Sequence, residues 1–235
     1  MKKIFLIISF SMAFIANASD HSEPSTAEGA FTTLHVNSDD RSKYVNYLKS
    51  DTSSFKAIGS TAAGVCITND TISEMMVWNG FNNLEDALAG STKYDVSKAP
   101  KKLAALRSPD YSVTWKPLKN WRLEPGFERV GRVKVSTGNI PAFVAAMSSL
   151  EKGVQNAGHP NFFNGVFQSF GGGDNESSTL MIRSVTRDGA AFGRILDEGY
   201  AGDAPWSEAY ASVLSLVDEF VSDNVEICEQ FYFGD

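Results

Sequence analysis

Phe31-Thr-Thr-Leu-His-Val36 and Arg129-Val-Gly-Arg-Val-Lys-Val135 decide the fold, because each opens the same succession of elements. Leu34 and Val36 alternate with Thr33 and His35, the period of a strand with one apolar face. A helical pattern follows each stretch. Ser38-Asp39-Asp40 is a helix-start signal ahead of Tyr44, Tyr47 and Leu48 at i, i+3, i+4. In the second copy Asn139 and Pro141 start a helix whose stripe is Phe143, Met147 and Leu150.

The correspondence continues along the chain. Ala63-Gly-Val-Cys-Ile67 is matched by Asn164-Gly-Val-Phe-Gln168, and Glu74-Met-Met-Val-Trp78 by Thr179-Leu-Met-Ile-Arg183. Asn69-Asp70 supplies a turn between the first pair, and Gly171-Gly-Gly-Asp-Asn175 joins the strands of the second. That glycine run lacks a following Lys-Ser/Thr and leads into a strand, so it reads as a flexible hairpin tip and not a phosphate loop. Asn82-Asn83 caps a helix through Leu84 and Leu88, with a further helical piece over Pro100 to Leu106. Pro205 to Val221 carries Trp206, Tyr210, Val213, Leu214 and Val217 at helical spacing and is expected to be one helix. Tyr111-Ser-Val-Thr-Trp-Lys116 and Asn224-Val-Glu-Ile-Cys-Glu229 close the two blocks as strands. Each block is thus βαββαβ, a ferredoxin-like arrangement whose sheet leaves one face to be covered. The expected architecture is α+β: two tandem ferredoxin-like units whose antiparallel sheets pack into a barrel-like structure. The units span residues 30–122 and 127–235, joined by the turn residues 123–126.

Ahead of them lies a secretory leader. Lys2 and Lys3 precede an apolar run from Ile4 to Ile15, and Ala16-Asn17-Ala18 has small-x-small cleavage chemistry. The run is shorter than the ~20 residues a spanning helix needs. Residues 1–18 are therefore read as a signal peptide and residues 19–29 as a polar, flexible leader, which places the chain in a bacterial periplasm or outside the cell. No later stretch suits a membrane span. The net charge of −7 argues against nucleic acid, whose phosphates demand a clustered basic surface. Two cysteines and three histidines are too few for a disulfide scaffold or a His-rich metal site, and no metal or cofactor is implied.

By element order and hydrophobic pattern over residues 30–235, the chain resembles the dimeric α/β-barrel superfamily in a tandem-fused form. Its members include small monooxygenases, haem-degrading enzymes, haem peroxidase relatives, polyketide cyclases and binding proteins, so the resemblance implies a cavity between sheets without naming a ligand. Haem-degrading members carry an iron-ligating His in the second helix; Leu84 to Lys93 and Gly189 to Glu198 contain none. Fused halves that pair internally imply a monomer. The resemblance also sets the last strand of one unit beside the second strand of the other, which would bring Cys66 and Cys228 to one seam. A disulfide there, or two separate buried thiols, are the alternatives.

Within such a cavity, His35 and its counterpart Lys134 are candidates to bind an anionic or phenolic ligand, with His35 able to move a proton near neutral pH. Trp78 and Arg183, at matched strand positions, suggest a stacking wall and a carboxylate clamp. Equally ordinary roles are open to each: a hydrogen-bonded strand His, a packed Trp, a solvated Arg. Tyr94 and Tyr200 are expected to pack where they close the second helices. The favoured function is binding of a small, partly apolar ligand between the halves. A cofactor-independent monooxygenase, isomerase or cyclase using His35 is the alternative, followed by a structural or partner-binding protein with a filled interior. Whether His35, Lys134, Trp78 and Arg183 surround one void discriminates among them.

Overall fold

A computed structural model describes residues 29–68 and 74–234; the expected signal peptide, most of the expected leader and the expected Asn69-Asp70 turn lie outside the described residues. The first half consists of β1 (Ala30–Asn37), α1 (Arg41–Ser50), α2 (Ser53–Ile58), β2 (Ala62–Thr68), β3 (Glu74–Phe81), α3 (Leu84–Ser91), α4 (Lys101–Ala104) and β4 (Ser108–Pro117). The second consists of β5 (Gly126–Lys134), α5 (Ile140–Asn156), β6 (Phe163–Gly171), β7 (Leu180–Thr186), α6 (Gly189–Ala201), α7 (Ser207–Leu214) and β8 (Glu219–Phe233).

The helices start where side chains can satisfy their first amides. Asp40 accepts from Lys43 N at 3.0 Å, Asn83 from Asp86 N at 2.8 Å and Asp188 from Ala191 N at 2.8 Å. Asn139 makes no such cap; Pro141 sits in the first turn of α5 instead, where its missing N–H goes unnoticed. The stripe Phe143, Met147, Leu150 and Val154 then buries α5 against the sheet.

All eight strands join one closed antiparallel barrel in the order β1-β3-β2-β8-β5-β7-β6-β4, with β4 returning to β1. Within each half the order is fourth, first, third, second, so both halves are ferredoxin-like units. The seams are β2 against β8 and β4 against β6. Closure pairs every strand on both sides, which removes the edges an isolated unit would expose.

Three layers follow from the strand period of two. Outward residues such as Val36, Val65 and Val77 pack under the first unit's helices, and Val133, Val166 and Leu180 under the second's. Inward residues fill the middle of the barrel: Phe31, Val113, Trp115, Val130, Phe167 and Met181. Phe31 meets Phe167 edge-on at 5.1 Å, and Trp115 Nε1 donates to Thr33 Oγ1 at 3.0 Å.

Two expectations change. The helix expected over Pro205 to Val221 stops at Leu214, and β8 runs from Glu219 to Phe233 where a strand only from Asn224 to Glu229 was expected. Tertiary pairing overrides helical spacing here: β8 must reach both β2 and β5, and Asp218 N already donates to Lys134 O at 2.9 Å. The glycine run is also more than a loose tip. Gly171, Gly172 and Gly173 are all left-handed, and they turn the chain so that Glu176 points into the barrel.

Candidate functional site

His35 projects inward from β1, as its alternation with Leu34 and Val36 demands, and is 6 % exposed. Its ring stacks on Tyr111 of β4 with centroids 4.1 Å apart, and Nε2 lies 3.3 Å from Thr33 Oγ1. Burial, then the positive charges of Arg132 and Arg183, lower its pKa to about 3. The ring is therefore neutral across the neutral range. Burial and the two nearby guanidinium groups thus disfavour the imidazolium form expected of a proton carrier near pH 7.

A cavity of about 250 Å³ opens at this mouth of the barrel, lined by His35, Tyr111, Arg132, Glu176, Asn224 and Glu226 among others. Arg132 donates from Nε and Nη2 to the two oxygens of Glu176, both at 2.7 Å, and its guanidinium lies 5.1 Å from the Trp115 ring centre. Tyr111 Oη donates to Glu176 Oε1 at 3.0 Å.

The other candidates lie elsewhere. Lys134 does not face His35; it pairs with Glu219 at 2.7 Å on the surface, both half exposed, where an ion pair contributes little. His35 stands opposite Met76 in the β1–β3 register and Arg132 opposite the matched Met181 in the β5–β7 register, so Arg132, not Lys134, is the counterpart of His35, and both line the cavity. Arg183 is no free clamp for a ligand carboxylate. Its Nε donates to Glu128 and its Nη2 to Glu226 at 2.8 Å, all three residues buried. The same Nη2 lies 3.6 Å from Cys66 Sγ and 3.5 Å from Cys228 Sγ. Trp78 packs with Met76 and these two cysteines, in space left by Gly64, where a Cβ would sit 2.5 Å from the indole. Trp78 and Arg183 border a separate void of about 20 Å³ with Phe31, Trp121 and Leu123, room for about one water. The four candidates thus do not surround one space.

Cys66 and Cys228 stand directly opposite each other in the β2–β8 register and are joined by a disulfide. Their sulfurs and a Glu128 oxygen lie within 4.8 Å of one another, but the sulfurs are bonded to each other and so are not a thiolate pair for a metal. Tyr94 packs against Arg107, whereas Tyr200 is 87 % exposed.

Among the described residues, Glu128, Glu176 and Glu226 share the barrel interior with two arginines, Arg132 and Arg183. Burial is the main cause that raises the Glu128 pKa; Arg183 opposes the rise and Glu226 adds to it. Arg132, Glu128, Arg183 and Glu226 were detectable as charges at inward strand positions. Glu176 gave no such signal, because it sits in a loop.

No protein-family model matches the sequence, and no curated protein sequence matches it. Among solved structures, a Lactobacillus acidophilus NCFM protein provisionally assigned as a monooxygenase is 13 % identical with a TM-score of 0.58, covering 88 % of this chain and 96 % of its own. An anthrone oxidase-like protein is 12 % identical with a TM-score of 0.53, over 86 % of this chain and 93 % of that one. A mutant chlorite dismutase from Candidatus Nitrospira defluvii is 10 % identical with a TM-score of 0.51, over 86 % and 91 %. At these identities the likeness is one of fold alone. The described residues do not fit a haem: the barrel centre is filled by Trp115, Phe167 and Met181, His35 is stacked on Tyr111, and His159 is paired with Glu198 outside the barrel. The strand order, the closure of the barrel and these neighbours agree, and the chain has the ferredoxin-like dimeric α/β-barrel fold with both units fused in one polypeptide.

Proposed function

We propose that this is an exported binding protein that holds a small, polar molecule at the His35–Tyr111–Arg132 mouth of the barrel. The observation that carries this reading is the cavity of about 250 Å³ and its lining, in which His35, Arg132, Asn224 and Glu226 offer donors and acceptors at one place. It is smaller than the ~300–1,000 Å³ of drug-sized sites, which favours a compact ligand. The polar lining supports a polar ligand in place of the partly apolar one expected from sequence. Monooxygenase-like neighbours in fold suggest the enzymatic alternative, but a His35 that stays neutral down to about pH 3 is a poor base, so binding comes first. Export is supported by the leader over residues 1–18, and a disulfide suits an oxidising compartment.

Ligand-observed NMR with a polar fragment set tests the site. Fragments should bind the wild type and be lost in Ser222→Trp, which fills the mouth from β8. Equal binding by both proteins, or no hits on a folded wild type, would end the proposal. Intact mass of protein secreted by its own host should begin at or near Ser19.

A further inference from the structure

The loop between β6 and β7 does more than turn the chain. Adjacent antiparallel strands are commonly joined by two to five residues; here residues 172–179 intervene. Most of them are exposed, yet the Glu176 side chain is 0 % exposed. It is held by three hydrogen bonds from outside the loop, two from Arg132 and one from Tyr111. A bidentate guanidinium is a donor by which proteins bind carboxylate ligands, and the Tyr111 phenol adds a third hydrogen bond to it. The cavity of about 250 Å³ continues from that carboxylate past Asn175, His35 and Asn224.

The backbone is arranged for Glu176 to enter. Gly172 has φ +83°, and a Cβ there would sit 2.7 Å from Glu176 Cγ, so only glycine admits the side chain in this pose. On the other side of Glu176, Ser178 holds φ 60°, the one non-glycine with positive φ among the described residues. Left-handed residues thus lie on both sides of Glu176, whose carbonyl accepts from Ser169 Oγ and Thr179 Oγ1, both at 3.3 Å.

Resting on the reading of this mouth as a binding site, we propose that Glu176 is a tethered stand-in for the carboxylate of the ligand, which is a small carboxylic acid. The ligand displaces Glu176 from Arg132 and Tyr111, and the 172–179 loop opens as a gate. A tethered carboxylate competes at an effective concentration of millimolar or above, so wild-type affinity for free carboxylates is held down by the gate.

Glu176→Ala removes the equivalent of acetate. The experiment titrates acetate, with the neutral isostere acetamide as control, into wild type and Glu176→Ala, following the Arg132 Nε–H resonance by NMR. The variant should bind acetate roughly 10- to 100-fold more tightly than wild type, restoring the Nε–H shift and raising Tm, while acetamide does neither. Gly172→Ala, which keeps Glu176 but crowds it out of the cradle, should show the same gain and serves if Glu176→Ala does not fold. Folded variants that bind acetate no better than wild type, or no better than acetamide, would overturn the proposal. Failure of the binding-site reading looks different: no fragment hits on wild type, with acetate rescue intact.

Discussion

Arg183 and the two carboxylates it bridges occupy barrel positions where apolar side chains would pack without desolvating charge. Removing the guanidinium alone should leave Glu128 and Glu226 buried without their counter-ion. Arg183→Met is therefore expected to lose about 3–5 kcal/mol in urea denaturation, whereas a triple replacement of Glu128, Arg183 and Glu226 by apolar residues of similar volume should recover most of that loss. A triple variant as unstable as the single one would show that the network itself holds the barrel. His35 makes a second, pH-dependent prediction. Its folded pKa of about 3 lies below the ordinary 6.5, so the unfolded chain takes up a proton that the native state refuses. The contribution is complete above pH 6.5 and is lost as pH falls toward 3. Between pH 7 and pH 4 wild type should lose roughly 3 kcal/mol more than His35→Phe. Glu128, with its raised pKa, acts with the opposite sign, favouring the native state in acid, but it is present in both proteins and cancels from the comparison. Equal losses in the two proteins would mean that His35 takes up its proton in the folded state. His35 was legible as an inward residue because strand alternation fixes its face. Its basic partner was not, since Arg132 and Lys134 share parity and only the pairing register, which sets His35 opposite Met76 and Arg132 opposite the matched Met181, decides between them.

At the scale of elements, β8 carries the greatest burden. Fifteen residues long, it pairs with β2 of the first unit and β5 of its own, and Cys228 ties it to Cys66 across the seam. The disulfide closes a sequence separation of 162 residues. In the chain-entropy model a loop of that length raises stability by about 5 kcal/mol, so Cys66→Ala/Cys228→Ala should shift the urea midpoint down sharply with little change in fold. Thiol titration of unfolded, unreduced wild type should find none free; two free thiols would remove the bridge and its entropic term together. The seam followed from resemblance to a fold in which last and second strands meet. The length of β8 did not, because Val217 and Val221 fit a helical stripe locally and only the pairing partners far off in sequence draw residues 219–223 into the sheet. Glu176 was hidden for a similar reason. A loop acid has no period to read, and its burial depends on Arg132 some forty residues earlier in the chain.

The whole molecule is one barrel made by two units, and this has a thermodynamic consequence. Phe31, Val113 and Trp115 from the first unit share a core with Val130, Phe167 and Met181 from the second. Tyr111 of the first donates to Glu176 of the second, and both seams carry strand pairing between units. Opening one unit would strip the inner face of the other and leave Arg132, Arg183 and their carboxylates beside an unfolded wall. The units should therefore unfold together. We expect a single transition in calorimetry, with calorimetric and van't Hoff enthalpies equal, and coincident urea curves from tryptophan fluorescence and far-ultraviolet circular dichroism. The β2–β8 and β4–β6 pairings already supply within one chain what a second copy would otherwise provide, so a monomer is proposed and the midpoint should not move with protein concentration. Two resolved transitions would show that the shared core contributes less than the cores under each unit's helices. A concentration-dependent midpoint would instead place part of the stability between copies, and with it part of the reason for the exposed Phe220, Ile227 and Phe233 on β8.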